Sequence, residues 1–259
     1  MDDPYPVLSR ADACAALPRL GGMARPDGVL IASERHWAVA RTDGEITEGR
    51  MPTPASALNR VPLLRGLVRL LIAFAPLLQG TGVAAPRERL VLATSVVAPL
   101  GLAFVPPTLE LAAGAALVVA LLCWLFRGRT LFLHGAEHRA IEAAERGQLC
   151  GCWSGVLRPT RYSRRCGTNL AALALLLSAA LYAAVPFARD SLLALPLALG
   201  VLATTMEIWF VLQRSAGRLA AALLAPGLAL QRLTTREPTL EETRLALRAA
   251  ASVLARELT

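Results

Sequence analysis

Lysine is missing from this sequence: all 27 basic residues are arginine, set against 19 acidic residues for a formal net charge of +8. Aromatic residues are scarce too, at 5%. Basic surfaces that hold single-stranded nucleic acid interleave their cations with aromatic rings on which bases stack. That pattern is lacking, so nucleic-acid binding is not expected. The five cysteines, Cys14, Cys123, Cys150, Cys152 and Cys166, are an odd number, and Cys123 falls inside an apolar run, which argues against a disulfide framework. The N-terminal stretch carries Asp2, Asp3, Arg10, Asp12, Arg19 and Arg25 without an apolar core of signal-peptide length, so no cleavable leader is expected.

What is abundant is apolar surface. At 55% hydrophobic residues and a mean hydropathy of +0.49 over 259 residues, the chain is more apolar than an ordinary water-soluble domain. Four runs approach or exceed the ~17 residues that cross a hydrocarbon core: 90–106, 109–126, 170–187 and 192–212. Short linkers join them into two hairpins whose tips are nearly free of arginine, while Arg127, Arg129, Arg139, Arg146, Arg158, Arg161, Arg164 and Arg165 fill the segment between the hairpins. Arginine excess marks the cytoplasmic side. The sequence therefore predicts an all-α integral membrane protein with about four transmembrane helices as two hairpins, plus interfacial helices and a small N-terminal β element. The expected divisions are a cytoplasmic segment at 1–60, an interfacial or re-entrant helix at 61–85, hairpins at 86–126 and 169–214 around a loop at 127–168, and cytoplasmic helices at 215–259. Pro76 and Pro226-Gly227 are expected to break the apolar runs that contain them. Thr42-Asp43-Gly44 between alternating segments predicts a β-hairpin, and Thr239 with Glu242 predicts a capping box opening a closing helix.

The sharpest local signal is His134-Gly-Ala-Glu137-His138, which holds two of the chain's three histidines. Helical positions four apart share a face, so both imidazoles can reach one metal ion, and Glu137 beside them can act on a water as a base. The spacing is also that of the inverted zincin motif. Glu145 returns to nearly the same face as a third ligand or its supporting partner. Cys166, in Arg165-Cys166-Gly167-Thr168, offers a thiolate, a natural zinc ligand, or is a small buried side chain. Glu207, inside the last apolar run, is a further carboxylate ligand or a partner for Arg65 or Arg69. Cys150-Gly-Cys152 is a weaker metal signature. The bland alternative throughout is a juxtamembrane helix whose histidines and glutamates are merely solvated or paired with nearby arginines.

These motifs, in order, resemble the YqhQ-like bacterial membrane proteins, a family described as predicted metal-dependent enzymes of unknown function. The resemblance rests on Gly21-Gly22-Met-Ala24 with Asp27-Gly28-Val29, Pro62-Leu-Leu-Arg65-Gly66, His134 to His138 with Glu145, Arg165 to Thr168, Glu207, and Pro226-Gly227 through Leu233-Thr234-Thr235-Arg236-Glu237-Pro238. It implies one functional set of His134, Glu137, His138, Glu145, Cys166 and Glu207, with Asp27 and Arg65 near it. One departure stands out: the family has His-Pro before its Arg-Cys-Gly-Thr, and this chain has Ser163-Arg164, a loss for which Cys150 and Cys152 are candidate substitutes.

The leading expectation is a membrane-embedded, metal-dependent and hydrolytic enzyme at the cytoplasmic edge of a bacterial inner membrane, multi-pass with both termini cytoplasmic. A divalent metal is expected, zinc first on ligand type. Its partners are the lipid bilayer and a substrate or protein partner that the sequence does not identify. A non-enzymatic scaffold is the competing class, and a transporter a weaker one, because few ionisable residues lie within the apolar runs.

Overall fold

A computed structural model describes residues 3–53, 58–78, 83–86, 89–90, 128–184, 191–215 and 217–259, with positions 94, 109, 112, 113, 116 and 120. The chain forms two units. The first comprises Met1–Thr53, Phe126–Arg165 and Leu228–Thr259; the second comprises Pro54–Leu125 and Cys166–Gly227.

In the first unit, helix α1 (Tyr5–Asp12) precedes four strands, β1 (Gly21–Arg25), β2 (Gly28–Ala32), β3 (His36–Arg41) and β4 (Ile46–Arg50). They form an antiparallel meander in the order β1-β2-β3-β4. Gly44 closes the β3–β4 turn at φ +95°, a conformation that glycine adopts without steric penalty. Helix α3 (Thr130–Glu145), the short α4 (Leu149–Trp153) and the C-terminal α8 (Leu240–Glu257) complete the unit. Helix α3 packs on β1 and β2, α8 on β2 and β3, and the two helices on each other. Val29, Ile31, Ala38 and Ala40 of the sheet meet Leu133, Ala136 and Ala140 of α3 and Leu247, Ala250 and Leu254 of α8 in one buried core. The small alanines let helix backbones come close to the sheet, so even a single methylene there is felt. Asp12 ties α1 to α4, its two carboxylate oxygens accepting from the N–H groups of Leu149 (2.8 Å) and Cys150 (2.9 Å). Helix α8 opens with a complete Thr239–Glu242 capping box, carries Glu241 and Glu242 in its first turn and Arg256 in its last, and so matches its own dipole.

The second unit contains α2 (Leu64–Leu78), α5 (Gly167–Ala184), α6 (Ser191–Arg214) and the start of α7 (Arg218–Thr234). Helices α5 and α6 pack together and α2 lies on α6. A Cβ at Gly66 would sit 2.6 Å from Met206, so the lack of a side chain sets how closely α2 approaches. Both α2 and α7 run through their prolines, Pro76 and Pro226, where breaks were expected. In α7 the neighbouring Gly227 lies against Asn169, where a Cβ would be 2.5 Å from the Asn169 Cα.

The fold corrects the all-α expectation of four spanning helices. A four-stranded sheet forms the heart of the first unit. Strand β1 was hidden because Gly21 and Gly22 depress strand propensity, and β2 because a short apolar run reads equally as buried helix or strand. Among the described residues one helical stretch, Pro196–Arg214, is long and apolar enough to cross a bilayer. The apolar part of α5, Gly167–Leu181, falls short of that length. The expected hairpin at 86–126 lies largely outside the described residues.

Candidate metal centre

Helix α3 is buried almost all round, and two of its buried residues are His134 and His138, 6% and 3% exposed. One helical turn apart, their rings meet edge to face with centroids 4.5 Å apart. Each ring is fixed by the main chain: His134 Nδ1 lies 2.8 Å from the Thr234 carbonyl oxygen and His138 Nδ1 2.7 Å from that of Arg161. A carbonyl only accepts, so both Nδ1 atoms carry the proton, and in the neutral ring Nε2 holds the lone pair. This is how ligating histidines are oriented and made more basic.

Burial sets the charge of the site. Desolvation lowers the His134 pKa despite the bond to Thr234. Desolvation, with the neighbouring His134, pushes His138 down to about 3 against the bond to Arg161. Both imidazoles are therefore neutral near pH 7, the form that binds metal.

Cys166 is peptide-bonded to Arg165, the last residue of this stretch of the first unit. Its Sγ accepts a hydrogen bond from Thr168 Oγ1 at 3.2 Å. Ligand atoms of His134, His138 and Cys166, all three residues buried, lie within 4.8 Å of one another, and no other such His/Cys/Asp/Glu group occurs among the described residues. Small side-chain rotations bring such atoms to the roughly 3.5 Å separation of ligands around a tetrahedral ion with bonds of ~2.0–2.3 Å. The donor set of two neutral imidazoles and one thiol fits a zinc-like ion.

Glu137 faces β1. A Cβ at Gly22 would lie 2.8 Å from its Cγ and 2.9 Å from Oε1, so the absence of a side chain there makes room for this carboxyl group. Full burial drives the Glu137 pKa up to about 8, although the Ala24 backbone N–H donates to it and opposes the rise. It is a neutral acid at pH 7 and stands outside the three-residue group.

Other expected site residues are placed elsewhere. Glu145 is ion-paired with Arg165. Glu207 accepts from Arg65 Nε at 2.8 Å and from the Leu63 N–H at 3.2 Å, with Leu63 itself at φ +68°. Asp27, in the turn between β1 and β2, binds Arg25 and Arg41. Ser163, where the resemblance led one to expect histidine, is clasped through its main chain by the Gln231 amide, at 2.9 Å and 2.7 Å. Cys150 and Cys152 lie outside the group and do not substitute for that histidine there.

Sequence reasoning missed the carbonyls of Thr234 and Arg161, which no side-chain pattern reveals. It also missed buried Arg139, whose Nε donates to the Pro159 carbonyl at 3.0 Å and whose Nη2 donates to Glu237 at 2.6 Å. At Gly135 a Cβ would be 2.2 Å from the Arg236 carbonyl oxygen, so the segment carrying Thr234 and Arg236 runs hard against α3.

A meander sheet roofed by two helices thus carries a buried imidazole pair and an adjacent thiol that could hold a metal ion. The chain belongs to a family of proteins of unknown function, DUF1385, whose model matches residues 117–256. No curated protein and no solved structure matches it.

Proposed function

We propose that this chain is a metal-dependent, hydrolytic enzyme of the YqhQ-like type, working at a bacterial membrane, with zinc held by His134, His138 and Cys166. The observation that carries the reading is the pair of Nδ1–H bonds to backbone carbonyls. They hold two buried, neutral rings in the tautomer whose lone pair lies on Nε2, an atom that can ligate a metal. Among the described residues the group supplies three protein ligands, the number that catalytic zinc sites use where structural sites use four. Bound zinc supplies Lewis acidity and lowers the pKa of water. Glu137 is the proton-holding group of the proposal: its carboxyl is buried, neutral near pH 7 and fixed by the Ala24 N–H. Association with a bilayer is supported by the apolar Pro196–Arg214 stretch, and a cytoplasmic site by the arginines of 127–165.

The test is elemental analysis of the purified full chain beside a His134→Ala, His138→Ala double variant and Cys166→Ser, each checked for folding by circular dichroism. Near-stoichiometric metal in the wild type, lost in the double variant and weakened at least tenfold in Cys166→Ser, supports the reading and opens a substrate search. Metal retained in full by the folded double variant sinks it. A metal-free wild type would leave the histidines as structural clasps and favour a scaffold.

A further inference from the structure

The first unit holds a second polar site on another face of α3. A cavity of about 260 Å³ is lined by Arg139 and Arg158, by Cys152 and Ser154, and by the start of α8 at Thr239, Leu240 and Thr243. The neighbouring hydroxyls direct their protons inward, Ser154 to the Gly151 carbonyl, Thr239 to Glu242 and Thr243 to the Thr239 carbonyl. The guanidiniums are therefore the strong donors that remain. Arg139 is 6% exposed and uses Nε on Pro159 and Nη2 on Glu237. Its Nη1 has no protein partner among the described residues. Arg158 is exposed and has no carboxylate partner among the described residues.

Nearby acids do not cancel this charge. Glu237 is shared by Arg139 and Arg161. Glu241 pairs with Arg244, and Glu242 closes the capping box and approaches Arg129 at 3.7 Å. The surplus is a buried guanidinium with an open N–H and a second, unmatched one beside it. Two arginines converging on a small cavity suit an oxyanion with several acceptor oxygens and more than one negative charge, the character of a phosphoryl group. At the mouth, Leu157 and Leu240, 40% and 38% exposed, line the cavity, and Val156 next to Leu157 is 78% exposed.

We propose that this cavity binds a phosphoryl group, with Arg139 and Arg158 as its charged ligands. Two sources share that chemistry: a soluble phosphomonoester and the headgroup of an anionic phospholipid whose acyl chains contact the apolar mouth. The site is independent of the metal centre, and the test keeps the two apart.

Binding of inorganic phosphate, glycerol 3-phosphate and short-chain phosphatidylglycerol to the full chain in phosphatidylcholine nanodiscs is measured by isothermal titration, with acetate as control. The expected result is phosphoryl binding to wild type, weakened about tenfold in Arg158→Gln and unchanged in the His134→Ala, His138→Ala variant. Stronger binding of phosphatidylglycerol than of glycerol 3-phosphate, reduced by Leu157→Ser, assigns the lipid source; equal binding assigns the soluble one. No binding of any of the three ligands, equal binding by Arg158→Gln, loss in the histidine variant, or acetate binding as tight as phosphate overturns the proposal.

Discussion

At the scale of single residues, the centre depends on what is small or missing. Gly22 lets a fully buried carboxyl lie against β1. Gly22→Ala would place a methyl carbon 2.8 Å from both Glu137 Cγ and the Leu30 carbonyl oxygen, and one of those contacts is backbone and cannot swing away. We expect about 1–3 kcal/mol of destabilisation, seen in denaturant melts, with weaker retention of metal. Glu137 also makes a signed pH prediction for the metal-free chain. Its pKa rises from 4.5 to about 8 on folding, so the unfolded state releases a proton that the folded state keeps. Stability is fully present below 4.5 and falls as pH rises toward 8, by up to ~1.4 kcal/mol per pH unit from this group. Glu137→Gln should flatten that slope and match wild type near pH 5. A variant with the wild-type slope would show that the carboxyl is not held neutral.

At the scale of elements, α8 is the piece whose sequence and role agree most fully. Its capping box was visible as Thr239 and Glu242, and the structure makes both of the box's bonds. Thr239→Ala should cost about 1 kcal/mol. Leu254→Ala, at a fully buried position among alanines and sheet residues, should cost about 2–5 kcal/mol. Chemical denaturation of the two variants should give these values with unchanged denaturant slopes; a cap variant costing more than the core variant would contradict this account of the helix. Helix α3 teaches the opposite lesson. Its histidines were legible because spacing of four on a helix is a local property. Their environment was not, because the carbonyls of Thr234 and Arg161 come from segments distant in sequence. Helices α2 and α7 show a third case, in which a proline that locally predicts a break stands inside a continuous helix.

At the scale of the whole molecule, the first unit is assembled from three separated stretches of chain, so none of them buries its apolar face alone. A chain ending at Pro238 lacks the α8 side chains of Leu247 and Leu254, both fully buried. It should lose cooperative unfolding and metal retention together, as read by circular dichroism and elemental analysis; a truncated chain that melts like wild type would refute the shared core. The sequence by itself determined the composition-level facts: the arginine-only charge, the histidine pair at helical spacing and the capped closing helix. Each depends on neighbours within a few residues, where the helical period is enough to place one side chain beside another. Only the tertiary structure decided that the N-terminal stretch is a four-stranded sheet, that Glu145 and Glu207 go to arginines, and that Glu137 is sealed against Gly22. Those outcomes depend on long-range burial, which decides which charged groups lose water and which partner meets them there.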